Sequence, residues 1–191
     1  EDWTDEQSEI VRPFINMFDA LSIREYGNLN SIKKITNKNV RVVIDPVFLL
    51  EKEEWLSIAK VPDIHEPFIL CYFLSVSPLA VKAVNKLREL TGLKVIYLNH
   101  NAVDKLNSDN NIRDFDPRDF IGYISRASYV CTNSFHCTAF SVINKKNFLY
   151  IPGMRNKRVE TLQEVFKLGD HFASYDKLEY LTKDDIDIDY T

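Results

Sequence analysis

The chain has 191 residues, 45% of them hydrophobic, 12% aromatic and 27% charged, enough apolar material to bury a core in one or at most two domains. Its 24 Lys and Arg stand against 28 Asp and Glu for a formal charge of -4, with no long block of one sign, which argues against a nucleic-acid binder held by a broad basic face. Only 5 Gly, 7 Pro and 3 Cys without Cys-x-x-Cys spacing exclude a low-complexity chain and a disulfide scaffold. Cys71, Cys131 and Cys137 read as buried, reduced thiols, and no apolar run approaches the roughly 20 residues of a membrane span. With no signal peptide visible, these features predict a cytoplasmic protein. The chain opens on Glu1-Asp2-Trp3 rather than Met and is read as a piece of a longer protein.

In chain order, short β-branched runs at 20–24 and 40–44 predict the first two strands, and an apolar run at 68–74 the third. Residues 78–91 then place Leu79, Val81, Val84, Leu87 and Leu90 at helical spacing. Ser77 stands as N-cap, Pro78 in the first turn and Gly92 as the stop. A fourth strand follows at 94–98. Asp116-Pro117 opens a helix with Phe120, Ile121, Ile124 and Ala127 on one face, and a fifth strand at 129–132 runs into Thr132-Asn133-Ser134. Those residues can cap a helix whose buried face is Ala139, Phe140, Val142 and Ile143. The last strand is 147–151, and a helix over 158–168 carries Val159, Leu162, Val165 and Phe166 before Gly169. Near-continuous apolar strands suit a sheet covered on both faces. The alternation predicts a doubly wound, mostly parallel, Rossmann-like α/β sheet of about six strands in one domain over 1–174. Residues 175–191 hold Asp176, Glu179, Asp184, Asp185, Asp187 and Asp189 among few bulky apolar residues and read as an acidic, solvated terminal arm or linker.

Ligands of open α/β sheets bind beyond the carboxyl ends of the strands. Those positions are Arg24-Glu25, Asp45-Pro46, Ser75, Asn99-His100 and Asn133-Ser134-Phe135-His136. The last is the richest, because the N–H groups and dipole of a helix start attract an anion, and His136 would stand beside it with an imidazole suited to proton transfer near neutrality. Each has a plainer reading. Asn and Ser at a strand-to-helix junction are more often caps than ligands, and one histidine in a first turn is more often structural. Arg24 is open between a ligand contact and an ion pair with Glu25 or Asp45. Asp45-Pro46 reads as a turn. His100 is a weaker rival to His136, and His65 and His171 read as loop residues. Arg155, Lys157 and Arg158 crowd cations at a helix start, where the dipole disfavours them unless an anion or carboxylate is near. No Gly-x-Gly-x-x-Gly, Walker, Gly-x-Ser-x-Gly, His-Glu-x-x-His or zinc-spaced set is present, so dinucleotide, P-loop, serine-hydrolase and zinc chemistries lose support.

The ordered set Ser22-Ile23-Arg24-Glu25, Val43-Ile44-Asp45-Pro46-Val47-Phe48-Leu49-Leu50 with Trp55, Cys71-Tyr72-Phe73-Leu74, Asp116-Pro117-Arg118-Asp119-Phe120 and Thr132-Asn133-Ser134-Phe135-His136-Cys137-Thr138-Ala139-Phe140-Ser141 resembles the polysaccharide pyruvyl transferase family over about residues 14–168. The resemblance implies the C-terminal half of a B-type glycosyltransferase-like fold of two Rossmann-like halves. It also implies transfer of pyruvate from phosphoenolpyruvate to two hydroxyls of a cell-surface glycan sugar, forming a ketal and inorganic phosphate. By the same resemblance His136 would be the catalytic acid or base and Arg24 a clamp on the donor. Arg158 falls where some members carry a lysine. A mechanism built on these parts would add Arg158 and the N–H groups around Ser134 and Phe135 to donor binding and use Asn133 and Ser134 to orient the carboxylate or the histidine, with no metal. Ser134 stands where several members carry an arginine, and Cys137 where glycine is frequent. The implied partners are phosphoenolpyruvate, a glycan or lipid-linked saccharide acceptor and an N-terminal domain, at the inner face of the membrane. Two rivals remain open at this point: a sugar-nucleotide glycosyltransferase, and a non-catalytic donor-binding half domain.

Overall fold

The computed structural model describes residues 3–101, 105–152, 157–168 and 171–190. In chain order the elements are α1 (Asp5–Met17), β1 (Leu21–Ile23), α2 (Leu29–Lys33), β2 (Val40–Val42), α3 (Lys52–Ile58), β3 (Phe68–Tyr72), α4 (Pro78–Thr91), β4 (Lys94–Leu98), β5 (Asn110–Ile112), α5 (Pro117–Arg126), β6 (Tyr129–Thr132), α6 (Phe135–Ile143), β7 (Asn147–Tyr150), α7 (Lys157–Phe166) and α8 (Tyr175–Tyr180). They divide into two compact units, one of Glu1–Pro46 with Lys157–Phe166, the other of Val47–Asn156 with Lys167–Thr191.

In the larger unit a five-stranded parallel sheet has the order β5-β4-β3-β6-β7. The chain moves outward from β3 through β4 to β5, then returns to place β6 on the other side of β3, so the strand order reverses between β3 and β6. That reversal is the switch point at which a crevice opens beyond the carboxyl ends. The pleat sends alternate side chains to opposite faces. Ile69, Cys71, Phe73, Val95, Tyr97, Cys131, Leu149 and Ile151 join Ala80, Ala83, Val84 and Leu87 of α4 in one buried cluster. The opposite parity holds Leu70, Leu98 and Val130, each at 0% exposure, and on this side Tyr72 meets Phe120 of α5, which meets Phe140 of α6. The sheet is thus covered on both faces.

Local signals account for the helix limits. Ser77 caps α4 by accepting the N–H of Ala80, and Gly92 ends it in the left-handed region at φ 68°. Asp116 caps α5 by accepting from Arg118 and Asp119, and Asp119 reciprocates to the N–H of Asp116, a carboxylate version of the capping box.

Three expectations change. First, the strands do not form one sheet of about six: among the described residues β1 and β2 pair only with each other, in parallel, with Leu21 opposite Val40, and they belong to the smaller unit together with α7. Second, β5 has the sequence Asn-Asn-Ile, two of whose three residues are poor strand formers; pairing with β4 makes it an edge strand. Third, the segment read as a solvated arm is docked. Leu178 and Ile186 are 1% exposed and Leu181 4% exposed, all in the cluster on the α4 face. Asp187 accepts from Asn147 (2.7 Å) and Tyr129 (3.2 Å). Three apolar residues spaced among six acids make no readable period, yet they suffice to seat the tail. Gly169 and Arg155 lie outside the described residues.

Candidate functional site

Thr132, the last residue of β6, is 0% exposed. Its hydroxyl donates to the Tyr72 carbonyl (2.6 Å) and accepts the N–H of Ser134 (3.0 Å), which ties the end of β6 to β3 and sets the entry into α6. Ser134 is buried and serves as N-cap, accepting the Cys137 N–H (3.4 Å), while its carbonyl accepts from the Thr138 hydroxyl (3.0 Å). Asn133 spans the switch point. Its Oδ1 accepts the Leu74 N–H (2.7 Å) and its Nδ2 donates to the Ser75 carbonyl (2.9 Å), so this amide is a strut between the loop after β3 and the end of β6.

Helix α6 is apolar nearly all round. Phe135 and residues 137–142 are buried and Ile143 half-buried, whereas His136 is exposed. A helix of this composition belongs inside a core. A single exposed imidazole therefore stands in its first turn, at the carboxyl edge and beside the switch point. The Phe135 ring lies against it, centroids 5.2 Å apart at 73°. Next door the three cysteines are buried. Burial pushes the Cys137 thiol up to about 12 and holds Cys71 and Cys131 higher still than an ordinary thiol, so all three are neutral packing groups, not nucleophiles.

The other sequence-derived candidates fall in the smaller unit. Arg24 follows β1 and pairs through Nη1 with Asp45, which follows β2; the carboxylate is 3% and the guanidinium side chain 46% exposed. Asp45 is more than a turn former, since it fixes one edge of a cation whose other edge meets solvent. Arg158 lies half-buried in the first turn of α7. Lys157 beside it donates to the Gly27 carbonyl (3.1 Å) and to Asn28 Oδ1 (2.9 Å), and Thr161 accepts the Tyr26 N–H (3.2 Å). Hence α7 returns from far along the chain to grip the loop that begins just past Arg24. Asn133, Ser134, Phe135 and His136 form a cluster of their own, in the larger unit.

A hollow of about 300 Å³ in the smaller unit, bordered by Arg12, Asn16, Lys34, Thr36 and Lys38, is basic but occupied with structural work. Arg12 donates to the Ile35 carbonyl, and Lys38 caps the end of α1 through the Asn16 and Phe18 carbonyls. Among the described residues no group of three or more His, Cys, Asp or Glu is placed to hold a metal, and no helix is long and apolar enough to cross a membrane.

Sequence reasoning passed over Tyr72 and ranked His100 low. Tyr72 ends β3 and its ring touches those of His100 (5.5 Å), Phe115 (6.3 Å) and Phe120 (4.9 Å). The available signal was position, since Tyr72 ends a strand at the reversal and His100 follows the strand beside it.

Comparison with known proteins gives one family: the model described as polysaccharide pyruvyl transferase matches residues 2–153. No curated protein matches the chain. Among solved structures, an uncharacterized protein of Klebsiella pneumoniae is similar at 17% identity and a TM-score of 0.51, over 87% of this chain and 59% of its own. The glycotransferase of kitacinnamycin reaches 10% identity and a TM-score of 0.48, over 89% of this chain and 45% of its own, too distant to bear on an argument. The first of these likenesses supports the fold alone, and the chain spans roughly half the length of the two structures.

Proposed function

Because the chain belongs to the polysaccharide pyruvyl transferase family, we propose that it takes part in transferring pyruvate from phosphoenolpyruvate to two hydroxyls of a glycan sugar. The products are a pyruvate ketal and inorganic phosphate. The observation that carries the reading is His136, the exposed imidazole of an otherwise buried helix at the reversal of strand order. Addition of a hydroxyl to C2 of an enol phosphate requires a proton at C3, and a positioned imidazole is suited to supply it. The start of α6 favours negative charge nearby, as a donor bearing a carboxylate and a phosphate requires.

Arg24 and Arg158 are the anion-binding cations proposed for their own unit. Arg24 is the stronger because Asp45 orients it, and a guanidinium meets a carboxylate or phosphate in a fixed bidentate geometry. Ser134 and Asn133 act through shape rather than contact: the first starts the helix that presents His136, and the second holds the crevice wall. The proposed partners are phosphoenolpyruvate, a glycan or lipid-linked saccharide acceptor and an N-terminal domain of the B-type glycosyltransferase kind. The place of action is the cytoplasmic face of the membrane.

Calorimetric titration with phosphoenolpyruvate, UDP, GDP and CDP tests this. Saturable binding of phosphoenolpyruvate alone, weakened about tenfold or more in Arg24→Ala, is the expected result. His136→Ala should abolish phosphate release in the full-length protein. Preferential binding of a nucleotide would replace this reading by sugar-nucleotide glycosyl transfer, and donor binding without turnover in the full-length protein would leave a binding domain.

A further inference from the structure

His100 has no part in the reading above, yet its placement differs from that of an ordinary loop histidine. It lies two residues past Leu98, the end of β4, the strand beside β3. Its backbone is fixed on both sides. Asn99, 1% exposed, donates its N–H to the Ile112 carbonyl (2.8 Å) and accepts the Asn101 N–H on its side-chain oxygen (3.0 Å). This Asx turn holds the backbone of the residue between them. The Nδ2 of Asn99 has no hydrogen-bond partner among the described residues, so an unspent buried donor sits at the same edge. The His100 imidazole is exposed and lies on the Tyr72 ring at 5.5 Å and 39°.

Tyr72 connects this position to His136. Its ring contacts Phe120, which contacts Phe140 of α6. Burial raises the phenol's pKa, and the Cys137 thiol in the first turn of α6 is close enough to add to the rise. The ring thus has His100 on its β4 side and the start of α6 on its β6 side. With β4, β3 and β6 adjacent and Tyr72 in register with both Leu98 and Thr132, the ends of β4 and β6 lie two strand spacings, about 10 Å, apart across the carboxyl edge, His100 following the first and α6 the second.

Ketal formation moves two protons in opposite senses at its first step: C3 gains one while the attacking hydroxyl loses one. One imidazole, charged for the first task, cannot accept the second proton at the same moment. We propose that His100 is the second acid–base residue of this crevice, taking the proton of the attacking sugar hydroxyl while His136 protonates C3, with Tyr72 as the floor between them. The inference rests on the pyruvyl-transfer reading. In the first step the hydroxyl oxygen bonds to C2, its proton passes to neutral His100, and the C2–C3 π pair takes the proton of the His136 imidazolium. In the second the C2–O bond to phosphate breaks with its electron pair on the leaving oxygen, and the other hydroxyl bonds to C2. Its proton passes to the now neutral His136, and His100 releases its own to phosphate or water. Donor and diol become ketal and phosphate with no oxidant or reductant.

The test measures phosphate release from phosphoenolpyruvate by the full-length protein with a panel of methyl hexopyranosides, alongside donor binding by calorimetry. His100→Gln should keep the donor dissociation constant within about twofold while turnover falls by about 10². Added imidazole should partly restore turnover to His100→Ala, which a structural role would not allow. His65→Gln, altering a side chain 86% exposed, serves as the silent control. Turnover of His100→Gln within twofold of the parent, or joint loss of its donor affinity and thermal stability, overturns the proposal while leaving the pyruvyl-transfer reading in place. A parent protein that neither binds the donor nor releases phosphate overturns both.

Discussion

The two units solve the problem of a parallel sheet differently. Around β3 the larger unit covers both faces, with α4 and α8 on one side and α5 and α6 on the other, and its central residues reach 0% exposure. In the smaller unit the two strands are three residues each, and Ser22, Arg41 and Val43 remain exposed. Helix α1 has no buried side chain, and Ile10, Phe14 and Met17 on it are 61%, 62% and 78% exposed. Parallel strands are usually buried on both faces. The larger unit therefore carries its own core, whereas the smaller depends on a few residues, among them Ile35, Val40, Val159 and Leu162, and on a helix returned from distant sequence. Local opening should begin in the smaller unit, where few apolar contacts oppose it.

Paired substitutions can break or sharpen this contrast. The largest effect is expected for Leu70→Ala at the centre of β3, a loss of about 2–5 kcal/mol, against a change within about 0.5 kcal/mol for Phe14→Ala on α1. Denaturant midpoints would show it, and equal costs would mean that α1 is covered by something after all. Next come two glycines. A Cβ on Gly122, inside α5, would lie 2.0 Å from the Lys60 carbonyl oxygen, whereas one on Gly27 would meet only the flexible Lys157 side chain, at 2.3 Å. Backbone cannot yield as a lysine stem can. Gly122→Ala should cost about 1–3 kcal/mol, despite the roughly 1 kcal/mol that helix propensity alone would return, and Gly27→Ala should cost less in the same melts. The smallest effect concerns pH and the α5 cap. The hydrogen bond from Lys60, then the N–H groups of the first turn, hold the Asp116 carboxyl down at about 2 from its usual 3.8. Because the folded value is the lower one, its stabilisation is present above about pH 4 and is lost as pH falls toward 2. Melting temperatures recorded from pH 5 to pH 2 should therefore fall less in Asp116→Asn than in the parent.

Much of this was legible residue by residue. Ser77, Pro78 and Gly92 bound α4 where the capping pattern predicts, and Asp116-Pro117 opens α5 because an acceptor followed by proline satisfies a first turn with few free donors. The cap role of Ser134 and the exposed position of His136 follow from polar residues set before an apolar helix. Asn133 was legible only as a polar residue at a junction. That both ends of its amide bind the loop after β3 depends on β6 lying beside β3, across more than fifty residues of chain. The Asp45 partner of Arg24 was one of two carboxylates in reach, and pairing of β1 with β2 chose between them. The docked tail and β5 carried no periodic signal.

The amino-acid sequence by itself determined the α/β class, the helix caps, the inward thiols and the family, because each rests on local hydrogen bonding, on the spacing of apolar residues or on the order of short motifs. Tertiary structure alone decided the division into two units, the strand order with its reversal between β3 and β6, and the meeting of His100, Tyr72 and the start of α6 at one edge. Those depend on which strands pair and which faces are covered, and neither choice is encoded in any window of sequence shorter than the fold itself.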